Sequence, residues 1–262
     1  MKFKGKVVLI SGATGGMAVE IAKKLSKQGC KLALFARREE ILKKMCQDVK
    51  NKGAECIYKK CDVTKPEDVK EAVKYTKEAF GQIDFAILTA GILVPNPIQT
   101  FDSKIIKDSV DINFMGTVYF IEQLLPIMKK QKQGTIVATS TLPDRRGVAG
   151  WGAYGASKAA ISWLIESLRA EGKDRYNIDF ITVKPGSVDT PMIEGYHRQG
   201  AISAEKAAER IINGVEKGKK VIQFPINQVL MIRIQDYFPP FAYDVMPYEA
   251  AKGDGYPQVD EE

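Results

Sequence analysis

Tyr154 and Lys158 stand four residues apart in the stretch Gly150-Trp151-Gly152-Ala153-Tyr154-Gly155-Ala156-Ser157-Lys158. On a helix that spacing puts both side chains on one face. A phenol at about 3 Å can give a proton to an oxygen that is gaining negative charge. Its ordinary pKa of about 10 is too high for ready exchange at neutral pH. A neighbouring ammonium favours the phenolate. The pair therefore predicts acid–base work at a carbonyl or alcohol oxygen, with Lys158 lowering the pKa of Tyr154. A tyrosine standing alone is ordinarily core, so the assignment depends on its surroundings.

The pair needs a helix to carry it and strand ends to face it. Short β-branched runs at residues 6–10, 31–35, 55–59, 83–88, 134–140, 178–183 and 220–223 alternate with long segments of helical periodicity. Val19, Ala22 and Leu25 mark the first helical face, and Val69, Ala72, Val73, Ala79 and Phe80 a later one. Such alternation implies βαβ units and a parallel sheet covered on both faces. Right-handed crossovers make it doubly wound. The fold class expected is α/β, a single domain with a seven-stranded, mainly parallel sheet.

The first run ends in Ser11-Gly12-Ala13-Thr14-Gly15-Gly16-Met17-Ala18 and a helix follows. Glycines there allow a tight turn and bring a pyrophosphate close to the N–H groups of the helix N-terminus. A simple tight turn is the plainer alternative. The second run leads to Arg37 and Arg38 with no acidic residue before Glu39. An acidic side chain at that place bonds an adenosine ribose 2′-hydroxyl, whereas arginine accommodates a 2′-phosphate. Arg37, with Arg38 beside it, therefore argues for NADP(H) over NAD(H). Asp62, after the third run, either accepts from the adenine amine or serves as a helix cap or turn residue.

Together these stretches resemble the classical short-chain dehydrogenase/reductase family over roughly residues 4 to 225. The motifs run in order: the glycine loop, Asp62-Val63, Thr89-Ala90-Gly91, Asn113, a hydroxyl-bearing strand end, Tyr154 and Lys158, and Pro185-Gly186-Ser187-Val188-Asp189-Thr190. The resemblance implies a Rossmann fold of the NADP-preferring type. It makes Tyr154 the acid/base and has Lys158 also bond the nicotinamide ribose. It places Asn113 in a water chain leading to the lysine. Gly12, Thr14, Gly15, Gly16, Met17, Val63, Ala90 and Gly91 would line the cofactor site. The turn Pro185, Gly186, Val188 and Thr190 would back the nicotinamide, with Thr190 bonding its carboxamide. The helices carrying Asn113 and Tyr154 form a dimer face in the family, so a homodimer or homotetramer is implied.

The family's carbonyl-polarising serine lies thirteen residues before the tyrosine, a count that reaches Thr141, with Ser140 one position earlier. Adjacent strand residues point to opposite faces, so one of the two serves. Register favours Thr141, whose hydroxyl donates as serine's does. Ala18 and Thr89 also depart from the family pattern, at the third glycine and at the asparagine of Asn-Ala-Gly. None of the three changes removes a proton-transfer group.

Residues 1–224 form the expected domain, with a substrate lid at about 191–203. The single histidine, His197, falls in the lid and is expected to be solvated rather than catalytic. Residues 225–252 are expected to form an apolar helical extension, and 253–262 an acidic tail. Three readings of the extension compete. It packs as core, it walls the substrate pocket, or its stretch 225–241 sits on a membrane surface or a partner.

The bulk numbers agree with a soluble enzyme. Apolar residues make up 45% and charged ones 27%, the mix of an ordinary globular chain. The net charge of +7 is spread over helix-like segments, which disfavours a nucleic-acid patch. Cys30, Cys46, Cys56 and Cys61 form no CxxC pair and no metal set, and free thiols suit a reducing cytoplasm. No stretch approaches the roughly 18 apolar residues of a membrane helix. The expectation is a cytoplasmic, NADP(H)-dependent oxidoreductase interconverting an apolar ketone and a secondary alcohol. An NAD-dependent alcohol dehydrogenase of the same fold, a non-catalytic nucleotide sensor and a membrane-associated interaction module are the rivals.

Overall fold

The computed structural model describes residues 2–193 and 200–238. The chain alternates strand and helix from its start. β1 (Val7–Ser11), α1 (Gly16–Ser26), β2 (Lys31–Ala36), α2 (Glu39–Lys50), β3 (Glu55–Lys60), α3 (Pro66–Phe80) and β4 (Phe85–Leu88) form its first half. α4 (Ser103–Ser109), α5 (Gly116–Gln131), β5 (Gly134–Thr139), α6 (Gly152–Tyr176) and β6 (Ile178–Pro185) follow. After β6 come two short strands, β7 (Val188–Asp189) and β8 (Ile202–Ser203), then α7 (Ala204–Glu216), β9 (Val221–Phe224) and α8 (Ile226–Tyr237).

Seven strands pair in the order β3-β2-β1-β4-β5-β6-β9, and every pairing is parallel. The sheet is thus wholly parallel. β1, β4 and β5 are buried along their whole length, which is why they read as unbroken apolar runs rather than alternating ones. Ile21, Leu25, Leu42 and Ile211, from α1, α2 and α7, pack on one face. Val69, Phe120, Leu124 and Ile161, from α3, α5 and α6, pack on the other. The four cysteines are buried free thiols.

Local chemistry sets the helix ends. Pro66 opens α3, where its missing N–H costs nothing, and Gly81 ends it at φ 76°. Asp102 caps α4 by accepting from Lys104 N at 2.7 Å. Strand order reverses between β1 and β4, so a crevice opens at their C-terminal ends. The glycine loop after β1 and the Thr89-Ala90-Gly91 stretch after β4 form its walls.

Only part of the C-terminal extension packs as core. α8 buries Val229, but Ile226, Leu230, Met231 and Ile234 are exposed. Core packing is confined to a narrow stripe, and the wider apolar face points outward. Residues 239–252 and the tail at 253–262 lie outside the described residues, as do 194–199 with His197. Among the described residues no helix is long and apolar enough to cross a membrane.

Candidate active site

Thr141 follows β5, and Tyr154 lies in the first turn of α6. The Thr141 hydroxyl stands close enough to the Tyr154 phenol to favour its ionised form. Ser140 points the other way: its Oγ lies 2.7 Å from the Lys158 carbonyl oxygen and 2.8 Å from Ser162 Oγ. The period-2 alternation at the strand end thus separates the two candidates, with Thr141 beside the phenol and Ser140 behind the helix.

Lys158 is buried, and its Nζ donates to the Thr139 carbonyl at 2.9 Å. The ammonium lies 5.9 Å from the Tyr154 ring centroid. Burial pulls the lysine pKa down to about 8. Burial also raises the Tyr154 pKa, and the Thr141 hydroxyl offsets this in part. Burial is the largest influence on the phenol, and the Lys158 ammonium gives its hydrogen bond to a main-chain oxygen.

Asn113 is buried inside a π-helical turn, Val110–Met115, that leads into α5. Its Oδ1 accepts from Ile92 N at 2.7 Å, and its Nδ2 donates to Ile92 O at 3.1 Å and Ser157 Oγ at 2.9 Å. A β-carbon on Gly91 would sit 3.0 Å from Asn113 Oδ1 and 3.2 Å from Lys158 Nζ. Gly91 thus lets the loop pass between the two side chains. The amide hydrogens of Asn113 are both used, so its side chain braces the Ile92 loop against α6.

The crevice is a cavity of about 290 Å³ lined by Gly12, Thr14, Gly15, Arg37, Arg38, Asp62, Val63, Ala90 and Gly91, among others. A second cavity of about 390 Å³ adjoins it, and Gly16, Met17, Thr190 and Met192 are among its walls. Gly12, at φ +65°, has no room for a side chain: a β-carbon would be 2.6 Å from the Ala90 backbone. Gly16 has the Thr190 methyl where its own β-carbon would go, at 2.7 Å. Thr89 donates its Oγ1 to Ser11 O at 2.7 Å, so the threonine still ties β4 to β1.

The two arginines differ. Arg38 donates through its NH2 nitrogen to Thr14 O at 2.7 Å and to Thr14 Oγ1 at 3.1 Å, holding the glycine loop. Arg37 is exposed in the crevice and makes no hydrogen bond or ion pair among the described residues. Asp62 Oδ1 accepts from Thr64 N at 3.1 Å and from Thr64 Oγ1 at 2.9 Å, the geometry of a turn residue. Burial opposes its ionisation. The Thr64 bonds and the Arg37 cation outweigh that and hold the carboxyl below its usual range. Backbone bared by glycine, together with a cation free to meet a phosphate, suits a dinucleotide.

Pro185, Gly186 and Val188 do not line either cavity. Pro185 ends β6 against Phe224 of β9, and Val188 is buried and pairs with Ile202. A buried network behind α6 was missed from sequence. Lys184 Nζ meets Asp144 Oδ2 at 2.6 Å, and Ser162 bonds both that oxygen and Ser140. Two hydroxyl protons serve three contacts here, and the carboxylate, as the strongest acceptor, takes one. Ser162, four residues after Lys158, shares its helix face and was legible on spacing. Asp144 and Lys184 carried no signal.

Comparison with known proteins agrees. The short chain dehydrogenase family matches residues 6–200. The chain is a short-chain dehydrogenase/reductase. It is therefore an oxidoreductase with an NAD(P)-binding fold. An uncharacterized oxidoreductase of Listeria monocytogenes is 37% identical over 74% of this chain and 79% of its own length. An 11-beta-hydroxysteroid dehydrogenase A of Sesamum indicum is 31% identical over 86% of this chain and 62% of its own. The crystal structure of a Burkholderia phymatum family member in complex with NAD superposes with a TM-score of 0.83, covering 89% of this chain and 93% of that one, at 22% identity. That likeness concerns the fold.

Proposed function

We propose that this short-chain dehydrogenase/reductase interconverts an apolar ketone and a secondary alcohol with NADP(H). The observation that carries the reading is the meeting of Thr141, Tyr154 and Lys158 beside the glycine-loop crevice. When bound, the nicotinamide nucleotide supplies or accepts the hydride. Gly12, Gly15 and Gly16 would hold its pyrophosphate, and Arg37 its 2′-phosphate. Thr141 donates to the substrate oxygen, and Tyr154 Oη gives or takes the proton there. Lys158 supplies positive charge to that proton transfer and a donor for the nucleotide ribose. Asn113 and Ser157 keep the Ile92 loop and α6 in register.

The apolar substrate rests on the cavity beside the glycine loop, where Ile92, Leu93, Val94, Pro191 and Met192 are among the walls. The steroid named for the sesame relative is of the same chemical class. Self-association through the outer faces of α5 and α6 is part of the reading, and Trp163 of α6 is 79% exposed there. A panel of ketones and alcohols with both cofactors, followed at the nicotinamide absorbance, tests the proposal. Turnover that Tyr154→Phe abolishes is expected. Tight NADPH binding with no turnover of any carbonyl would favour a nucleotide sensor instead.

A further inference from the structure

Gln228, in the first turn of α8, reaches back to the turn that follows β6. Its Oε1 accepts from Ser187 N at 2.9 Å, and its Nε2 donates to Gly200 O at 3.3 Å. Ser187 O in turn accepts from Ile202 N at 3.1 Å. The short strands then pair, Val188 with Ile202 and Asp189 with Ser203. Thr190 closes the stretch, with its Oγ1 donating to Val188 O at 3.3 Å and its methyl against Gly16. A single amide of the C-terminal extension is therefore linked, bond by bond, to the residue that covers the glycine loop.

Gly186 reports the same relationship from the other side. A β-carbon there would fall 1.9 Å from Gln228 Oε1, and 3.0 Å from Leu142 Cδ1. The backbone at Gly186 does not have the positive φ that demands glycine. Its missing side chain makes room for the Gln228 amide.

We propose that Gln228 is a positioning residue that sets the Gly186–Thr190 stretch against the glycine loop. This rests on the reading of Thr190, the end of that stretch, as part of the wall of the nucleotide site. Gln228 touches neither substrate nor nucleotide. It acts through Ser187 and Gly200. Arg37 discriminates between the two nucleotides. Gln228 serves both alike, because it orders backbone common to either.

Hydrogen exchange on the full chain without nucleotide tests the brace itself. In Gln228→Ala, amides of residues 187–190 and 200–203 should exchange faster while β1 and β5 keep wild-type rates. Gln228→Glu keeps the acceptor for Ser187 N but loses the donor to Gly200 O, so its effect should concentrate at 200–203. Fluorescence titration should show the Kd for NADPH and for NADH rising together in Gln228→Ala, by about three- to tenfold, the range of a lost neutral hydrogen bond. Gly186→Ala should mimic Gln228→Ala by pushing the amide out. The double variant should then be no worse than either single one, since both remove the same contact. Unchanged exchange at 187–190 and 200–203, additive effects in the double variant, or a shift confined to NADPH would each overturn the proposal. If the wild type binds neither nucleotide, the function reading fails, while the exchange rates and the double variant's thermal shift still decide the brace.

Discussion

Lys158 gives a hydrogen bond of 2.9 Å to the main-chain oxygen of Thr139, the last residue of the strand it packs against. The bond anchors the ammonium under the strand end and keeps it near Tyr154 without pointing it at the phenol. Two consequences follow for pH. The folded chain holds Lys158 at about 8, against about 10.4 when unfolded. Between those values the unfolded chain binds more protons, so this group makes stability rise with pH across the window. Tyr154, raised by burial, contributes stability that is present below about 10 and lost above it. Burial also raises the thiols of Cys30 and Cys61 to about 12, and unfolded cysteines ionise near about 8.5, so over the same stretch these thiols make stability fall with pH and oppose Lys158. Lys158→Met should make the slope of Tm against pH there more negative than in the wild type. In the reductive direction, kcat/KM of the wild type should fall as pH passes about 8, since it reports the free enzyme. A profile flat to pH 10 would contradict this.

The split roles of Arg37 and Arg38 predict different losses. Arg37→Ala should weaken NADPH binding by about one to two orders of magnitude, the scale of a charged hydrogen bond. NADH affinity should change by less than about threefold, because no 2′-phosphate is involved. Arg38 holds Thr14, so Arg38→Ala should weaken both nucleotides alike. Fluorescence titration of the two variants with each nucleotide separates these outcomes. Tighter NADH than NADPH binding by the wild type would remove the argument from Arg37.

Thr141 and Ser140 should separate chemistry from stability. Thr141→Val keeps shape and removes the donor, and should lower kcat by about 10²- to 10³-fold, as loss of one oxyanion donor does. Thr141→Ser should stay within a few-fold. Ser140→Ala touches neither reacting atom. It should lower Tm with kcat close to wild type. The reverse pattern would put the carbonyl at Ser140.

The Asp144–Lys184 pair, at 4% and 12% side-chain exposure, is nearly dry. Removing one partner leaves an unpaired buried charge, so Asp144→Leu should cost about 3–5 kcal/mol in urea melts. Asp144→Leu combined with Lys184→Met should recover much of that loss, because neither charge is then stranded. Additive losses would mean that the pair is wetter than its burial states.

Much of this architecture was legible because the core strands are covered on both faces and read as continuous apolar runs. The limits of that signal show at Lys184. The apolar run stops at Val183, which predicts a strand end, but β6 continues to Pro185. The lysine that breaks the run is buried by an ion pair with a residue 40 positions away, and no local pattern announces such a partner. Gln228 was hidden for the same reason, since its partners lie on the far side of β9 in sequence. Tyr154 and Lys158 were found by spacing. Their electrostatics were not, because both shifts come first from burial, which depends on what packs around the pair. Arg37 and Arg38 look alike as neighbours in sequence, and Thr14 tells them apart.

The outward face of α8 gives the last test. Leu230 and Ile234 are 56% and 62% exposed, one helical turn apart, whereas Val229 beside them is 4% exposed. Val229→Asp places a charge where the helix meets the domain and should lower stability by several kcal/mol. Leu230→Gln with Ile234→Gln removes apolar surface that the single chain does not bury. That double variant should leave Tm unchanged within about 0.5 kcal/mol of stability. Sedimentation with liposomes then reads what the face is for. Wild-type binding lost in the double variant would assign it to a lipid surface. Equal sedimentation of both proteins would exclude that role. A fall in stability of the double variant would instead show that the face is covered in solution, and light scattering of the two proteins would show whether a second copy covers it.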